Sequence, residues 1–174
     1  MTEMELQSFD TLSAMQLEGS CHCGAVSFSV RSHEPVPYQR CYCSICRKTG
    51  SGGFMINLAA DAATLKTTGL EHSRTYRAQV EGNGTKVESK HQRIFCSHCG
   101  SHLWAFNEQW PELLHPVASA IDTELPVAPE RVHMMLGSKA TWVEPDDRPG
   151  DGCFETYPEQ SIADWHKTRG LRVD

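Results

Sequence analysis

Seven of the eight cysteines fall into three tight groups whose spacing is typical of metal ligands. The groups are Cys21-His-Cys23, Cys41-Tyr-Cys43-Ser-Ile-Cys46 and Cys96-Ser-His-Cys99, and Cys153 stands apart. Thiolates this close in sequence can converge on one zinc ion, with Zn–S distances of about 2.3 Å. A disulfide framework is the less favoured interpretation, because no secretory signal is evident and cytosolic thiols stay reduced. We therefore expect zinc binding and a cytoplasmic protein.

The seven grouped cysteines divide most simply into a site of four and a site of three. A CxC pair and a CxxC pair together supply the four thiolates of a closed tetrahedral zinc site. The CxCxxC group supplies three, and three protein ligands beside a free position are the arrangement of a catalytic zinc. We therefore predict two zinc ions per chain, a structural one on Cys21, Cys23, Cys96 and Cys99 and a catalytic one on Cys41, Cys43 and Cys46.

Two alternatives to this division stay open. Cys153, in the segment DGCFETYP, is an alternative fourth ligand that would close the second site, although a lone cysteine is commonly just a small hydrophobic residue. His22 and His98 each lie between two ligand cysteines. A histidine there usually points away from the metal, but it has the nitrogen donor needed to complete either site.

The residues that follow the second cysteine group are candidates for binding substrate. Arg47 and Lys48 are positioned to meet the carboxylates of an anionic substrate, the arginine in fork geometry and the lysine as a point charge. The alternative is a solvated pair of surface charges. Gly52 and Gly53 belong to a GSGG segment whose backbone N–H groups are expected to line a peptide-like ligand. Too many histidines lie near these motifs for one to be singled out as a general acid or base.

The composition restricts what else the chain can be. It has 174 residues and a mass of 19.4 kDa, the size of one domain with its own core. A formal net charge of −6 without any basic block argues against nucleic acid or an anionic membrane as a partner. No apolar run approaches the roughly 20 residues of a membrane-spanning helix. The N-terminal segment has no positive region before an apolar core, so we expect no secretory signal.

The segments between the cysteine groups predict short strands that must position them. Residues 25–31 (AVSFSVR) alternate apolar and polar side chains, as a strand with one exposed face does. We expect further strands at 54–58, 64–68, 73–77, 87–95, 101–106 and 133–136. We also expect a tight turn at 43–48, one helical turn at 111–115, and a short helix at 161–167 that begins at a serine cap.

The same patterns predict one domain. Residues 1–14 are polar and without period, which predicts a flexible tail, and residues 15–174 contain no repeat or long linker that would divide them. Trp104, Trp142 and Trp165 are expected in the core.

Three stretches around the cysteines resemble the signatures of the glutathione-dependent formaldehyde-activating enzymes, a family that includes centromere protein V. The stretches are GSCHCGAVSFSV, CYCSICRKTGSGGF and RIFCSHCGSHLW, and the later segments VASAIDTEL and PERVHMMLGSKATW also fit the family pattern. The resemblance covers roughly residues 15–168. It departs from the family at Ala120 and Ile121, where Gly-Thr is frequent, and this difference predicts an altered cleft.

The resemblance implies a mainly β fold, a zinc-containing β-tent of two curved antiparallel sheets with few short helices. It implies the same division of the seven cysteines and a zinc-dependent carbon–sulfur lyase or synthase, with glutathione as co-substrate. The expected substrate is a small thiol adduct such as S-hydroxymethylglutathione. One alternative is a sister enzyme for another adduct or imine. The other is a non-catalytic zinc-stabilised interaction module like the centromere branch, which the acidic chain disfavours. The oligomeric state is left open.

Overall fold

The computed structural model describes residues 14–82 and 84–174, and most of its regular structure is β. Its strands are Met15–Ser20 (β1), Ser27–Ser32 (β2), Gln39–Cys41 (β3), Met55–Ile56 (β4), Ala60–Asp61 (β5), Lys66–Thr68 (β6), Ser73–Gly82 (β7), Thr85–Cys96 (β8), His102–Asn107 (β9), Leu113–Pro116 (β10), Val132–Met134 (β11) and Gly152–Cys153 (β12). The α-helices are Ser44–Gly50 (α1) and Ile162–Thr168 (α2), and the 3-10 helices are Ala62–Thr64, Leu70–His72, Ala118–Ala120 and Leu136–Ser138. The predicted tail, residues 1–14, lies outside the described residues except for Ala14.

The described strands form three sheets. The first is antiparallel, in the order β1-β2-β6, and the second is antiparallel, in the order β5-β10-β9-β8-β7. The third has the order β12-β11-β3-β4, in which β11 runs parallel to both β12 and β3. Isolated bridges join the sheets, including Gly19 with Ile121 and Asn57 with Val117. Each cysteine group lies next to the end of a strand: Cys21 follows β1, Cys41 ends β3, and Cys96 ends β8.

The mainly β prediction, with antiparallel sheets and few short helices, is confirmed. The strands form three sheets rather than two, and the third is mixed. β3 and β11 are three residues each, and a segment that short carries no pattern that tells parallel from antiparallel pairing. Their pairing is decided by contacts distant in sequence.

Two local predictions are wrong. Residues 43–48 form no simple turn, because Cys43 caps a seven-residue helix, α1, by accepting the N–H of Cys46 at its sulfur atom. Residues 111–115 form no helical turn, because Leu114 and Pro116 face the core from β10, which pairs with β5 and β9. The helix at the C-terminus is confirmed, with Ser161 as its N-cap.

The core forms from the buried faces of the sheets. Val30 on β2 is fully buried, as the alternating pattern of residues 25–31 predicts. Leu17 on β1, a strand that was not predicted, is fully buried opposite it. Trp104 packs edge-on against Phe28, with ring centroids 5.0 Å apart. Trp104 and Trp165 are buried as predicted, but Trp142 is 70% exposed, so its assignment to the core is wrong. No helix among residues 14–82 and 84–174 is long and apolar enough to cross a membrane.

Gly69 brings a distant turn against the first cysteine group. Its backbone has a φ of +71°, and a Cβ added there would lie 1.9 Å from the carbonyl oxygen of Ala25. The next residue, Val26, donates its N–H to Cys21 Sγ at 3.2 Å. A side chain at position 69 would therefore displace the backbone that supports a predicted metal ligand.

We expect Gly69→Ala to lower the free energy of unfolding by about 3 kcal/mol or more, because a backbone clash adds to the left-handed strain. Gly170→Ala is the matched control: Gly170 has a φ of +63°, and an added Cβ there meets nothing within 4 Å. The control should lose only about 1 kcal/mol. Denaturant unfolding of both variants with zinc present measures the difference, and equal losses would show that the approach to Ala25 is unimportant.

Candidate metal centres

The first cysteine cluster joins two segments far apart in the sequence. The sulfur atoms of Cys21, Cys23, Cys96 and Cys99 all lie within 4.8 Å of one another. The Cys21 and Cys23 sulfur atoms are 3.6 Å apart, and those of Cys23 and Cys96 are 3.8 Å apart. These distances far exceed the roughly 2.05 Å of a disulfide. They match the separation of about 3.8 Å between two sulfur atoms bound tetrahedrally at about 2.3 Å from one zinc.

Both halves of this cluster use the same backbone turn. After Cys21, the N–H of Gly24 donates to the Cys21 carbonyl, and Cys21 N–H donates to the carbonyl of Val26. After Cys96, the N–H of Gly100 donates to the Cys96 carbonyl at 2.9 Å in the same way. Each glycine has a φ of +75°, a left-handed conformation that favours glycine. The backbone thus turns each cysteine pair towards the other.

Hydrogen bonds from Ser101 favour the thiolate form of Cys99 in the first cluster. Ser101 lies with its hydroxyl oxygen 3.3 Å from Cys99 Sγ, and its hydroxyl and backbone N–H lower the pKa of Cys99 to about 5. The same hydroxyl accepts the N–H of His22 from the other half of the cluster. Cys96 Sγ accepts the N–H of His98. The backbone of both histidines therefore supports the cluster, and neither ring belongs to the sulfur group.

The second cluster forms within one short segment. The sulfur atoms of Cys41, Cys43 and Cys46 lie within 4.8 Å of one another, and no fourth cysteine, histidine or carboxylate of the described residues belongs to the group. Cys41 ends β3, Cys43 is the N-cap of α1, and Cys46 lies in the first turn of α1. Cys153 is exposed on β12 outside the cluster, so the structure does not support it as a fourth ligand.

Protons and a metal ion would compete for the three sulfur atoms of the second cluster. Hydrogen bonds from the Cys41 and Cys46 thiols, together with the N–H of Cys46, lower the pKa of Cys43 to about 2. The pKa of Cys41 is raised because it is the donor to Cys43 and to Cys46 and because it is buried. The cluster alone thus favours one shared thiolate, whereas a bound cation would need all three thiols deprotonated. Three soft donors suit zinc.

A buried polar network holds the segment between the first two of these cysteines. Tyr42 is 1% exposed, and its hydroxyl lies 2.8 Å from Nδ1 of His133 on β11. Asp151 Oδ2 lies 3.5 Å from His133 Nε2, and this nearby carboxylate favours a proton on Nε2, which leaves Nδ1 to accept from Tyr42. Asp151 in turn accepts the Nε–H and the backbone N–H of Arg131. The sequence gives no local signal for His133 or Asp151, because both lie far along the chain from the cysteines.

A cleft of about 590 Å³ lies between the first cluster and the C-terminal end of α1. Its lining includes Cys21, Thr49, Ser51, His102 and Ala120. The altered Ala120 segment therefore borders this cleft.

The four predicted substrate contacts lie around the same helix end but outside that lining. Arg47 is half-buried, its Nε atom buried without a hydrogen-bond partner, and Lys48 is exposed. Gly52 is exposed, whereas Gly53 is buried, and a Cβ there would lie 2.8 Å from Val143 Cγ2. Their role in binding substrate stays a prediction.

We expect Tyr42→Phe to lower the free energy of unfolding by about 1–3 kcal/mol, because His133 Nδ1 would stay buried without a partner. Tyr76→Phe is the control, since the Tyr76 side chain is 44% exposed. The control should change stability by less than about 0.5 kcal/mol. Denaturant unfolding followed by circular dichroism gives both values, and an unchanged Tyr42→Phe protein would show that the network adds nothing to stability.

Comparison with known proteins agrees with the resemblance of the cysteine motifs. The family model described as glutathione-dependent formaldehyde-activating enzyme matches residues 16–138. A curated protein of Halomonas elongata is 56% identical over 158 residues, covering 90% of this chain and 98% of that protein. It carries, provisionally, the name glutathione-dependent formaldehyde-activating enzyme.

A crystal structure of a Rhodobacter sphaeroides protein is 23% identical, covering 79% of this chain and 98% of that chain, with a TM-score of 0.47. A TM-score this low does not support an inference about this chain. The family model, by contrast, matches more than half of the chain, and the Halomonas protein is similar over almost its full length. The chain therefore belongs to the family of glutathione-dependent formaldehyde-activating enzymes.

Proposed function

We propose that the chain is a zinc-dependent carbon–sulfur lyase or synthase for small thiol adducts such as S-hydroxymethylglutathione. The observation that carries the proposal is the second cluster, three sulfur atoms within 4.8 Å without a fourth side-chain ligand among the described residues. Three protein ligands and a free position are the arrangement of catalytic zinc. Family membership supports glutathione as the thiol and formaldehyde as the aldehyde.

We assign a structural zinc to the first cluster. Its four sulfur atoms complete a tetrahedral site by themselves, which leaves no position for a substrate. Cys21 and Cys96 are buried, and the cluster joins the end of β1 to the end of β8. Metal binding there should therefore contribute directly to the free energy of folding.

We assign the formation and cleavage of the carbon–sulfur bond to the second cluster. When bound there, zinc supplies a Lewis acid with a free coordination position that favours the thiolate form of a thiol. Cys41, Cys43 and Cys46 orient that position, while Tyr42 and His133 keep the segment in place. The glutathione sulfur adds to the aldehyde carbon, and the carbonyl oxygen takes up the proton to give the hydroxymethyl adduct. The reverse reaction breaks the same carbon–sulfur bond.

Charged side chains and backbone N–H groups near the C-terminal end of α1 would bind the rest of the substrate. Arg47 and Lys48 follow Cys46 directly and are the proposed partners of the substrate carboxylates. Gly52 and Gly53 lie in the loop after α1 and are the proposed backbone donors. The partner is thus a small anionic thiol adduct, and residues 15–174 would act as a single domain. Thiolate clusters of this kind suit a reducing compartment such as the cytoplasm.

A second candidate is a sister enzyme for another thiol adduct or imine. Ala120 borders the 590 Å³ cleft. The family resemblance implies Gly-Thr at positions 120 and 121, so the different residue at the edge of this cleft is the reason to consider a different adduct. A screen of thiols and aldehydes that finds activity with glutathione and formaldehyde alone would exclude this candidate.

We expect two zinc ions per chain by elemental analysis. Cys43→Ala should retain one zinc and cooperative unfolding, because the first cluster is intact. Cys96→Ala should lose the cooperative fold, because the remaining three sulfur atoms no longer close the site that joins the sheets. Cys153→Ala, outside both clusters, should keep two zinc ions. Loss of the fold in Cys43→Ala would contradict the division into structural and catalytic sites.

We expect the zinc-loaded protein to form S-hydroxymethylglutathione from glutathione and formaldehyde faster than the spontaneous reaction. Exchange NMR spectroscopy measures both directions at equilibrium. Cys43→Ala should reduce the rate to the spontaneous value, whereas Cys153→Ala should leave it unchanged. A wild-type rate equal to the spontaneous one at every protein concentration would exclude formaldehyde and glutathione as the substrates.

A further inference from the structure

A series of buried polar groups connects Asp151 with the loop that holds the second cysteine cluster. Asp151 Oδ2 lies 3.5 Å from His133 Nε2, and His133 Nδ1 lies 2.8 Å from the Tyr42 hydroxyl. We call these three side chains the Tyr42 network. Tyr42 is also the residue between Cys41 and Cys43, so its backbone is bonded to both of these cysteines. Every step from Asp151 to the cysteines is therefore a short approach between named atoms or a covalent connection.

Backbone and side-chain donors fix Asp151, the far end of the Tyr42 network. Its Oδ1 atom accepts the backbone N–H of Arg131 at 2.7 Å, and its Oδ2 atom accepts the Nε–H of Arg131 and the N–H of Arg148, both at 2.9 Å. Burial raises the pKa of Asp151, but these hydrogen bonds lower it by more than burial raises it. Asp151 is therefore a carboxylate at neutral pH, and three donors hold it in one position.

Tyr42, the near end of the network, is attached to two adjacent residues of β11. Its N–H donates to the carbonyl oxygen of Met134 at 3.0 Å, and Met134 lies opposite Cys41 in the pairing of β11 with β3. His133, the residue before Met134, holds the Tyr42 hydroxyl. The backbone attachment is independent of side chains, whereas the hydroxyl bond depends on His133 and can be removed by a substitution.

The burial of the Tyr42 network indicates a role other than stability alone. Tyr42, His133 and the side chain of Asp151 are each at most 1% exposed. Burial of polar and charged groups costs desolvation, and apolar side chains of similar volume are often at least as stable in such positions. A fully buried polar network instead holds the groups it connects in one geometry. Here the connected group is the loop with the three sulfur atoms.

The Asp151 carboxylate influences which nitrogen of His133 bears the proton. Burial lowers the pKa of His133 by more than Asp151 raises it, so the ring is neutral at pH 7 and has one proton. An approach of 3.5 Å is longer than an ordinary hydrogen bond, so the carboxylate acts mainly through its charge, which favours the proton on Nε2. Nδ1 then accepts the Tyr42 hydroxyl. Without that charge the Nδ1–H tautomer competes, and it cannot accept this bond.

A loop that is fixed before the metal arrives should bind it more tightly. Three thiolates in one short segment repel one another, and a mobile loop loses conformational entropy when an ion orders it. A loop already held in the ligand geometry avoids most of that loss. Residues that orient metal ligands from outside the coordination sphere typically contribute about 10–100-fold to metal affinity.

We infer that Asp151 is a positioning residue of the three-cysteine metal centre, which acts through His133 and Tyr42 to hold the loop in its ligand geometry. This inference rests on the proposed function, because it requires a metal ion on the second cluster. The order of the contacts has a specific consequence. Asp151 should affect metal binding at the second cluster only while the Tyr42 hydroxyl is present.

The test is a double-mutant cycle on the affinity for Co²⁺. Protein with zinc on the first cluster is titrated with Co²⁺, and the thiolate-to-cobalt absorption reports binding to the second. Asp151→Asn, Tyr42→Phe and the double variant are compared with wild type. Glu34→Gln is the matched control, because Glu34 is a buried carboxylate that pairs with a different arginine, Arg172. Nitrogen-15 NMR spectroscopy of the histidine rings gives the tautomer of His133.

We expect Asp151→Asn and Tyr42→Phe each to weaken Co²⁺ binding about tenfold or more. The double variant should bind within about twofold of Tyr42→Phe alone, because Asp151 then has no hydroxyl bond to support. Glu34→Gln should bind Co²⁺ like wild type. The His133 proton should be on Nε2 in wild type and shift towards Nδ1 in Asp151→Asn. Retention of the first-cluster zinc shows that the fold is intact.

Two variants of His133 provide the comparison if Asp151→Asn does not fold. His133→Asn keeps an acceptor oxygen near the position of Nδ1 and should bind Co²⁺ within about threefold of wild type, since the Tyr42 hydroxyl keeps a partner. His133→Leu offers no acceptor and should lose about tenfold. Equal Co²⁺ affinities of these two variants would overturn the inference.

An equal loss from Asp151→Asn with and without the Tyr42 hydroxyl would also overturn the inference, because Asp151 would then support the fold in general. So would an unchanged Co²⁺ affinity in a folded Asp151→Asn protein. These outcomes leave the proposed formaldehyde reaction intact. A wild-type chain that binds no Co²⁺ at the second cluster would overturn the inference and the proposed function together.

Discussion

The convergence of two cysteine pairs from distant parts of the chain is the constraint on which the rest of the structure depends. Cys21 and Cys23 follow β1, whereas Cys96 ends β8 and Cys99 precedes β9. Their four sulfur atoms can meet only if the first and second sheets are already side by side. Closing a loop of this length costs about 4 kcal/mol of chain entropy. The affinity of four thiolates for one zinc ion exceeds that cost several-fold.

The second cluster depends on a different kind of support. Its three cysteines are neighbours in sequence, so no long loop has to close. Its surroundings instead supply a fixed polar network, in which the Tyr42 hydroxyl is hydrogen-bonded to His133. An anionic metal centre in a partly buried site needs such groups, because desolvation of its charge would otherwise oppose its formation. The electrostatic surroundings are therefore as much a part of this site as its ligands.

The grouping of the cysteines could be predicted from the sequence because the spacing of metal-binding cysteines is local. Seven cysteines in three short motifs allow few tetrahedral arrangements, and both clusters occur as predicted. β10 and the pairing of β3 with β11 could not be predicted, since a strand of three or four residues is defined by its neighbours. The hydrogen bond between Tyr42 and His133 could not be predicted either, because the two residues are 91 positions apart.

The cysteines of the first cluster are far apart in the sequence, whereas those of the second are neighbours. This difference has a consequence for how the protein would respond to scarce zinc in a cell. If the first cluster binds zinc as proposed, a chain that has closed the long loop would keep its sheets whether or not the short segment holds an ion. With zinc on both clusters, scarcity of the metal would empty the three-ligand centre first, since it has fewer donors and an open side. The result would be a reservoir of folded, dormant chains that resist degradation. Such chains could regain activity within the time of ion binding, without new synthesis or refolding.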